Sequence, residues 1–447
     1  MNPVDQAVIL LPPRVAGPAR SWDLSTKKIL GLTLLERAVL ASAQSGVRDF
    51  VLAGRTGQGW EEATAGLRCD PRVKSLGLRL EFVPLSAMGG PGREVEILRP
   101  FWLIRGDLVF DQALLADAPD AGRKEDESVH FMDRRPTLSP EDHDGIGLNT
   151  DEDGGNALPF VPLRDMGAAA YAGISLCPPG IFPKLAGVLR KWDAALPDVD
   201  AMNGIFGPSG SKTFDTGGRF CFRVLSKAAL RKARRSLLAT ARKPTDSFIS
   251  RTFNRPISLF LTRPLIWLGI KPNPLSVLCL AIGMASCWFI AQGGYVNSVL
   301  GAFLFEFASI FDGCDGEVAR LTYRTSKFGG FVDMVGDAVI FVLFFVCLPV
   351  GLYRSSRRPV WLVLGVLALL SMGTFYLQLT AFMKKKKLGN YVVGLVKDIE
   401  QSAGRPGFSG RLDRMAGKIA FIYRRDFFSM GAFIAIAAGG AAVLMWV

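Results

Sequence analysis

The residues most able to do chemistry are four aspartates between positions 312 and 337. Asp312 and Asp315 stand three positions apart at the end of one apolar stretch, and Asp333 and Asp337 stand four apart at the start of the next. On helices, these spacings place each pair on one face, so two neighbouring antiparallel helices could direct all four carboxylates into one volume. Because an acid inside a membrane span costs about 2.5–3.5 kcal/mol, the pattern predicts a wet cavity that holds cations.

The residue types around these acids indicate the kind of cation and ligand. Carboxylate ligands without histidine or cysteine favour Mg²⁺ or Mn²⁺ over zinc, and four acids suit a two-metal site that clamps a diphosphate. Gly316 and Ala319 would let a nucleotide approach the helix backbone. Arg320 offers a planar fork of donors that suits a phosphate.

The elements that must position these acids are apolar segments long enough to cross a bilayer, which needs about 20 residues. Between 226 and 268 the chain is basic and amphipathic: a helix is predicted over 226–243, and 244–268 mixes arginine with aromatic residues, which is typical of the membrane interface. Five spans are predicted to follow, at 274–292, 296–312, 329–351, 359–383 and 427–447.

Charge divides the 447-residue chain in the same way. Residues 1–226 carry a net charge of −4, whereas residues 227–447 carry +17. The basic excess thus accompanies the apolar spans, which is typical of a membrane protein and argues against a nucleic-acid binder. The basic segments at 227–271, 320–327 and 384–425 outweigh the arginines near position 357. The positive-inside rule then places the N-terminal domain and the opening of the acidic site in the cytoplasm.

The first 225 residues are predicted to form an α/β domain of the Rossmann type. Strands are expected at Ala7–Leu11, Phe50–Ala53, Leu80–Pro84 and Phe101–Ile104, and a helix at Leu30–Ala43. Strands that alternate with helices predict a mainly parallel sheet, with the polar stretch 118–157 as surface loops. Seven scattered cysteines without CxxC spacing indicate neither a zinc site nor a disulfide framework.

The acidic stretch resembles the signature of the CDP-alcohol phosphotransferases. Its pattern D-x2-D-G-x2-A-R-x8-G-x3-D-x3-D is matched at every position, and the resemblance covers about residues 245–447. It implies an all-α polytopic membrane domain at 271–447 that moves a phospho-alcohol group from a CDP-alcohol to a hydroxyl acceptor and releases CMP. The family usually has six spans, so a sixth could lie hidden in 386–410.

The resemblance also implies a role for each matched residue. Asp312, Asp315, Asp333 and Asp337 would hold Mg²⁺ or Mn²⁺, and Asp337 would act as the general base on the acceptor hydroxyl. The residues in contact with the CDP moiety would be Gly316, Ala319, Arg320 and Ser326. The family's tendency to pair implies a homodimer in the cell membrane. The donor (CDP-inositol or CDP-diacylglycerol) and the acceptor (a polyol phosphate or a lipid hydroxyl) stay open.

The order of domains resembles the bifunctional inositol-1-phosphate cytidylyltransferase/di-myo-inositol-phosphate-phosphate synthases, which implies a nucleotidyltransferase-like domain at 1–225 and a linker at 226–270. Two departures predict that cytidylyl transfer is lost. Pro12 and Pro13 stand where a glycine-rich loop should offer amide donors to a triphosphate. Arg223 and Leu225 stand where the second metal-binding acid is expected, just before the basic helix, which leaves Asp107 alone unless Asp215 substitutes for the missing ligand.

Two other functions stay open at this point. The N-terminal domain could still make the CDP-alcohol, which would make the chain bifunctional. A cation- or proton-coupled transporter would also use intramembrane acids. Glu306 favours it, because it lies about 120° around the helix from Asp312, faces away from the metal cluster and would need a partner of its own. No internal repeat of the kind common in transporters is evident, however, and the acids lie at the predicted cytoplasmic ends of their spans.

Overall fold

The computed structural model describes residues 4–12, 28–88, 97–116, 127–133, 146–150, 157–162, 169–191, 199–206, 211–224, 227–242, 246–325, 327–386 and 425–445. The chain divides into two compact units, Met1–Thr240 and Ala241–Val447. The segment Asp151–Asn156, a predicted solvated loop, lies outside the described residues, as do Pro13 and Ser326.

The first unit is built on a mixed sheet. Its strands are β1 Gln6–Leu10, β2 Lys28–Ile29, β3 Leu32–Thr33, β4 Asp49–Gly54, β5 Arg79–Pro84, β6 Phe101–Arg105, β7 Leu108–Phe110, β8 Ser128–Asp133, β9 Ile146–Thr150, β10 Ala157–Pro162, β11 Ala169–Cys177, β12 Ser211–Asp215 and β13 Cys221–Arg223. Its helices are α1 Leu34–Gln44, α2 Trp60–Cys69, α3 Pro71–Ser75, α4 Ala113–Ala116, α5 Phe182–Lys191, α6 Val199–Phe206 and α7 Lys227–Thr240.

The strand order runs β10-β9-β11-β6-β1-β4-β5, with β8 paired to β11 and β12 paired to β8. The pairings among β1, β4, β5 and β6 are parallel, as expected of strands joined by helical crossovers. β11 runs antiparallel to β6, β8 and β9, so the prediction of a mainly parallel sheet holds only for the half nearest the N-terminus. The four predicted strands are confirmed.

Two local predictions in this unit were wrong. The helix predicted from Leu30 begins at Leu34, because Thr33 caps it: the Thr33 hydroxyl accepts from the Glu36 amide at 3.2 Å, and Glu36 accepts from the Thr33 amide at 2.7 Å. The stretch 118–157 contains the strands β8 and β9 rather than loops alone. All the apolar residues of β8 are buried. The strand was not predicted because its apolar run is short and lies between polar residues.

The basic helix predicted at 226–243 is confirmed as α7. The basic side chains lie on its exposed side, and the helix buries an apolar stripe made of Ala229, Ala233, Leu237 and Leu238. The spacing of this stripe, at intervals of three or four residues, is that of a surface helix on a globular core. α7 contacts β2 and β13, so it belongs to the first unit rather than to the segment that follows.

The second unit is helical. It begins with a π-helical turn, Ser250–Asn254, that leads into α8 Arg255–Trp267. The helices that follow are α9 Pro272–Gln292, α10 Tyr295–Leu321, α11 Lys327–Ser356, α12 Val360–Lys386 and α13 Arg425–Ala437. The side chains of Phe248, Phe253, Phe260 and Trp267 are 71%, 52%, 68% and 84% exposed, so this segment presents an aromatic surface.

Among the described residues, three helices are long and apolar enough to cross a membrane: Pro272–Gln292, Tyr295–Leu321 and Gly329–Ser356. They agree with the first three predicted spans. The apolar described parts of α12 and α13, Val360–Thr374 and Asp426–Ala437, are shorter, so the fourth and fifth spans stay predictions. The segment in which a sixth span was expected lies largely outside the described residues.

Close helix packing in this unit depends on small residues. α9 packs against both α10 and α11. At Gly301 on α10, an added Cβ would lie 2.8 Å from the Ser286 carbonyl oxygen and 2.9 Å from the Ile290 amide nitrogen, both on the backbone of α9. Small residues that let helix backbones approach are typical of membrane interiors, where apolar surface gives no advantage over lipid.

Candidate metal and nucleotide site

Three of the four predicted metal ligands come together in the second unit. Asp312 on α10 and Asp333 and Asp337 on α11 each offer a carboxylate oxygen, and these three oxygens lie within 4.8 Å of one another. All three residues are half-buried. An all-oxygen set of this kind suits a hard divalent cation. A bound divalent cation would also offset the electrostatic repulsion among the three carboxylates. The residues present therefore fit Mg²⁺ or Mn²⁺.

Asp315 lies outside this group of three. Its side chain is buried, and its Oδ2 accepts a hydrogen bond from the Ser276 hydroxyl near the start of α9. One turn further along α9, the Cys279 thiol lies 4.0 Å from Oδ1 of Asp312 and donates to the Ala308 carbonyl at 3.3 Å. α9 thus contacts both aspartates of α10 from the side, and sequence spacing alone did not predict this.

Arg320 lies close to Gly316, one turn earlier on α10. A Cβ added at Gly316 would be 3.1 Å from Nη1 of Arg320, so only glycine leaves this much room. Nη2 of Arg320 donates to the Ala241 carbonyl at 2.7 Å, and its buried Nε has no hydrogen-bond partner among the described residues. The guanidinium is therefore held at one nitrogen and keeps donors for a ligand. Ala319 is half-buried on the same helix.

Glu317, which the sequence reasoning missed, is the most enclosed acid of the site. It is fully buried, and its carboxylate accepts from Arg255 Nη1 at 2.9 Å, from the Ser258 hydroxyl at 2.6 Å and from the Thr262 hydroxyl at 2.7 Å. All three donors belong to α8. The available signals were an acid inside the motif and the arginines of the segment before the first span, because buried charges occur in pairs. Glu306 is also buried, at 5% exposed.

The first unit has a second cluster of charge, around Asp107. Asp107 is fully buried, and its carboxylate contacts Arg223 Nε at 2.7 Å and Arg105 Nε at 3.4 Å. Burial raises the pKa of Asp107, but the two guanidinium groups outweigh this and hold its pKa below the ordinary value. Burial in turn lowers the pKa of Arg105 to about 10, against the opposing effect of Asp107. Two guanidinium groups therefore occupy both carboxylate oxygens of Asp107.

Asp215, the residue considered as a replacement ligand, has a different environment. It is exposed at the end of β12, and its Oδ1 accepts from the Gly217 amide at 3.0 Å within its own turn. Asp107, by contrast, is enclosed immediately after β6. Among the described residues, the group of three aspartates in the second unit is the one set of three or more acidic, histidine or cysteine ligands close enough to share an ion.

Most of the second unit is similar to known proteins. Residues 270–439 match the family model described as CDP-alcohol phosphatidyltransferase. The chain is 37% identical over 142 residues to the bifunctional IPC transferase and DIPP synthase of Thermococcus kodakarensis, an alignment that covers 32% of this chain and 31% of that protein. The chain thus matches about a third of the length of this relative.

A longer alignment joins the two units. The chain is 26% identical over 331 residues to the bifunctional IPC transferase and DIPP synthase of Rubrobacter xylanophilus, which covers 69% of each protein. The second unit holds less than half of this chain, so this alignment extends well into the first unit. Among solved structures, the inositol-1-phosphate CTP transferase of T. maritima is similar over 53% of this chain and 95% of its own, with a TM-score of 0.42 and 17% identity.

The family match begins just before α9 and contains all four aspartates, Gly316, Ala319 and Arg320. It was found independently of the geometry, and it agrees with the resemblance inferred from the spacing of these residues. Residues 270–439 thus match the CDP-alcohol phosphatidyltransferase family model, and the similarity to the bifunctional IPC transferase and DIPP synthase of Rubrobacter xylanophilus extends into the α/β unit.

Proposed function

We propose that this chain is an integral membrane enzyme that transfers a phospho-alcohol group from a CDP-alcohol to a hydroxyl acceptor and releases CMP. The observation that carries the proposal is the meeting of Asp312, Asp333 and Asp337 inside the part of the chain that matches the family. A bound divalent cation would neutralise the diphosphate and polarise the phosphorus that is attacked. Mg²⁺ and Mn²⁺ are the cations that this oxygen set favours.

The chain's own residues would share the remaining work. Asp337 accepts the proton of the acceptor hydroxyl, whose oxygen then forms a bond to the phosphorus next to the donated alcohol. The bond from that phosphorus to the bridging oxygen breaks, and CMP leaves with this oxygen. Arg320 donates to the diphosphate, and Gly316 leaves the helix backbone open to the nucleotide. Asp315, Ala319 and Ser326 complete the proposed site, Asp315 as a metal ligand and the other two as nucleotide contacts.

The proposed setting is the cell membrane, with α9, α10 and α11 as spans and the site opening toward the cytoplasm. Support comes from the basic segments that flank the spans on that side. A polar CDP-alcohol made in the cytoplasm would reach the site directly. The names of the relatives favour an inositol-type donor, whereas the family match also allows a lipid donor. We propose a homodimer as the assembly.

The test is a screen of donors against acceptors with the purified protein in detergent. CDP-inositol and CDP-diacylglycerol would each be combined with inositol phosphate, glycerol phosphate and lipid alcohols, and the product mass measured. We expect CMP and one phosphodiester product in equal amounts from one pair, and neither from the Asp337→Asn variant. Glu61→Gln, an exposed acid on α2, is the matched control. Cation flux into vesicles without CMP release from any pair would favour a transporter instead.

We also propose that the first unit has lost cytidylyl transfer. The supporting observation is the pair of guanidinium groups on Asp107, because a fixed cation at a metal ligand repels a metal. The test uses the full chain with Asp337→Asn, in which a CDP-alcohol made from CTP could not be consumed. We expect no CDP-inositol from CTP and inositol 1-phosphate. Accumulation of CDP-inositol would show that the chain is bifunctional.

A further inference from the structure

A buried ion-pair network ties the segment before the first span to α10. Arg255 is the centre of this network: its Nη1 donates to Glu317 at 2.9 Å, and its Nε and Nη2 each donate to Asp246 at 2.8 Å. Asp246 and Arg255 expose less than a tenth of their side chains, and Glu317 exposes none. Charges this deeply buried must be compensated locally, so each member depends on the others.

The approach of the two helices at this point is unusually close. A Cβ added at Gly313 on α10 would lie 3.0 Å from Nη1 of Arg255 and 3.3 Å from the Ser258 hydroxyl. The Cys314 thiol donates to the Ser258 carbonyl at 3.5 Å. The network therefore acts where α8 lies directly against the motif helix, and a small change in α8 would be transmitted to α10.

The network and the metal ligands lie on different faces of α10. Gly313, Glu317 and Arg320 follow the spacing i, i+4, i+7, which forms one stripe. Asp312 belongs to a separate stripe, about 140° around the helix from Glu317 at 100° per residue. The guanidinium of Arg320 is held by the Ala241 carbonyl, five residues before Asp246 in the chain. Arg255 thus binds Glu317, the acid one turn before Arg320 on the same stripe, and also binds Asp246.

We propose that Arg255 and Glu317 are positioning residues that hold the Arg320 guanidinium in place for the diphosphate of the donor. The inference rests on the proposed function, because it takes Arg320 as the phosphate-binding residue. The inference goes beyond the proposed function because it gives α8, which precedes the first span, a role in the affinity for the donor. Because the three clustered carboxylates do not lie on this stripe, we expect changes in the network to act on Arg320 more than on metal binding.

Two conservative substitutions test the proposal in full-length protein. Glu317→Gln keeps the shape and some hydrogen bonds of the side chain but removes the charge that faces Arg255. Arg255→Lys keeps the charge but cannot bind Asp246 and Glu317 as a planar fork. Ser258→Ala, which removes a single donor to Glu317, is a milder third variant in case either of the others fails to fold. Arg263→Lys, an exposed arginine on α8, is the control.

We expect Glu317→Gln and Arg255→Lys to raise KM for the CDP-alcohol, and to weaken equilibrium binding of CMP, by about tenfold, which corresponds to 1.4 kcal/mol. kcat at saturating donor and the binding of Mn²⁺, followed by electron paramagnetic resonance, should stay within about twofold. Arg263→Lys should match the wild type in all four measurements. A general loss of structure would instead lower kcat and Mn²⁺ binding together.

A double-variant cycle with Arg320→Lys gives the decisive result. If the network acts through Arg320, adding Arg255→Lys to Arg320→Lys should change KM by less than about twofold, because the group being positioned is already altered. A full additional tenfold rise, or an unchanged KM in the single variants, would overturn the inference. Wild-type protein that releases no CMP from any CDP-alcohol would contradict the proposed function instead, and CMP binding would then test the network alone.

Discussion

At the residue scale, the four aspartates of the motif have two kinds of environment. Asp312, Asp333 and Asp337 lie together with their oxygens facing one another, whereas Asp315 is buried against Ser276. A hydrogen bond fixes the Asp315 carboxylate on the side of α9. A neighbour thus orients this side chain, which is the form of support expected for the metal ligand that we propose Asp315 to be.

Removing this support should have a measurable but limited effect. In Ser276→Ala the Asp315 carboxylate loses its donor, and hydrogen bonds to charged groups are worth about 1.5–3 kcal/mol. We expect kcat/KM for CMP release to fall by about tenfold or somewhat more, well short of the complete loss expected for Asp337→Asn. Ser276→Thr, which keeps the hydroxyl, should restore most of the activity. Equal activity in Ser276→Ala and wild type would show that this hydrogen bond is not needed.

A second prediction at this scale concerns His130 in the first unit. His130 is fully buried between the Ser175 and Ser211 hydroxyls, at 2.8 and 3.2 Å, and burial lowers its pKa to about 3. The unfolded chain binds a proton at this histidine below about pH 6.5, while the folded unit does not. The free energy of unfolding should therefore fall as the pH drops from about 6.5 toward 3, by at most about 1.4 kcal/mol per pH unit.

The measurement compares wild type with His130→Gln, because all carboxylates are the same in the two proteins and their titration cancels. Urea denaturation followed by circular dichroism at about pH 7.5 and pH 5 gives the free energy of unfolding. The wild type should lose more stability between these pH values than the variant. Equal losses would mean that His130 takes up a proton in the folded unit.

Sequence spacing predicted which aspartates form the site, but not which side chains contact each buried carboxylate. The proximity of Asp312, Asp333 and Asp337 could be predicted, because helical periodicity fixes the helix face on which each of them lies. The partner of Asp315 could not, since Ser276 is 39 residues away in the chain. The partner of Glu317 is 62 residues away, and nothing local distinguishes Arg255 from the other arginines of its segment.

At the element scale, strands with continuous apolar runs were easy to predict and strands with mixed residues were not. β1 and β6 are buried over nearly their whole length, as their nearly continuous apolar sequences predict. β8 buries a serine and a histidine together with its apolar residues, so its composition did not indicate a buried strand. The short hairpin of β2 and β3 consists of two residues per strand and gives no periodic signal.

The packing of the membrane helices makes a prediction of its own. In Gly301→Ala the new methyl group would meet backbone atoms of α9, which cannot move aside as a side chain could. We expect α9 and α10 to separate and the stability of the second unit to fall by about 1–3 kcal/mol. Thermal unfolding in detergent measures this. Gly373→Ala, which meets nothing within 4 Å, should be neutral. A stable Gly301→Ala protein would mean that the two helices tolerate a wider spacing.

At the scale of the whole molecule, the uneven distribution of charge predicted the division into two units. The near-neutral half forms the α/β unit, and the strongly basic half forms the helical unit with its apolar spans. The exact boundary was harder to place, because α7 has the composition of a membrane-surface helix and yet buries its apolar stripe in the first unit. The composition of α7 shows that the helix is amphipathic, but not whether its apolar stripe packs on the α/β unit or on a membrane surface.

In the proposed reaction, the aspartates of α10 and α11 bind the divalent cations on which CDP-alcohol transfer depends. The most direct measurement is CMP release by the purified protein after chelation, followed by titration with Mg²⁺ or Mn²⁺, for wild type and Asp333→Asn. We expect chelation to stop CMP release in the wild type, either cation to restore it, and neither cation to restore it in the variant. CMP release that persists without divalent cations, or that is restored equally in Asp333→Asn, would contradict the proposed reaction.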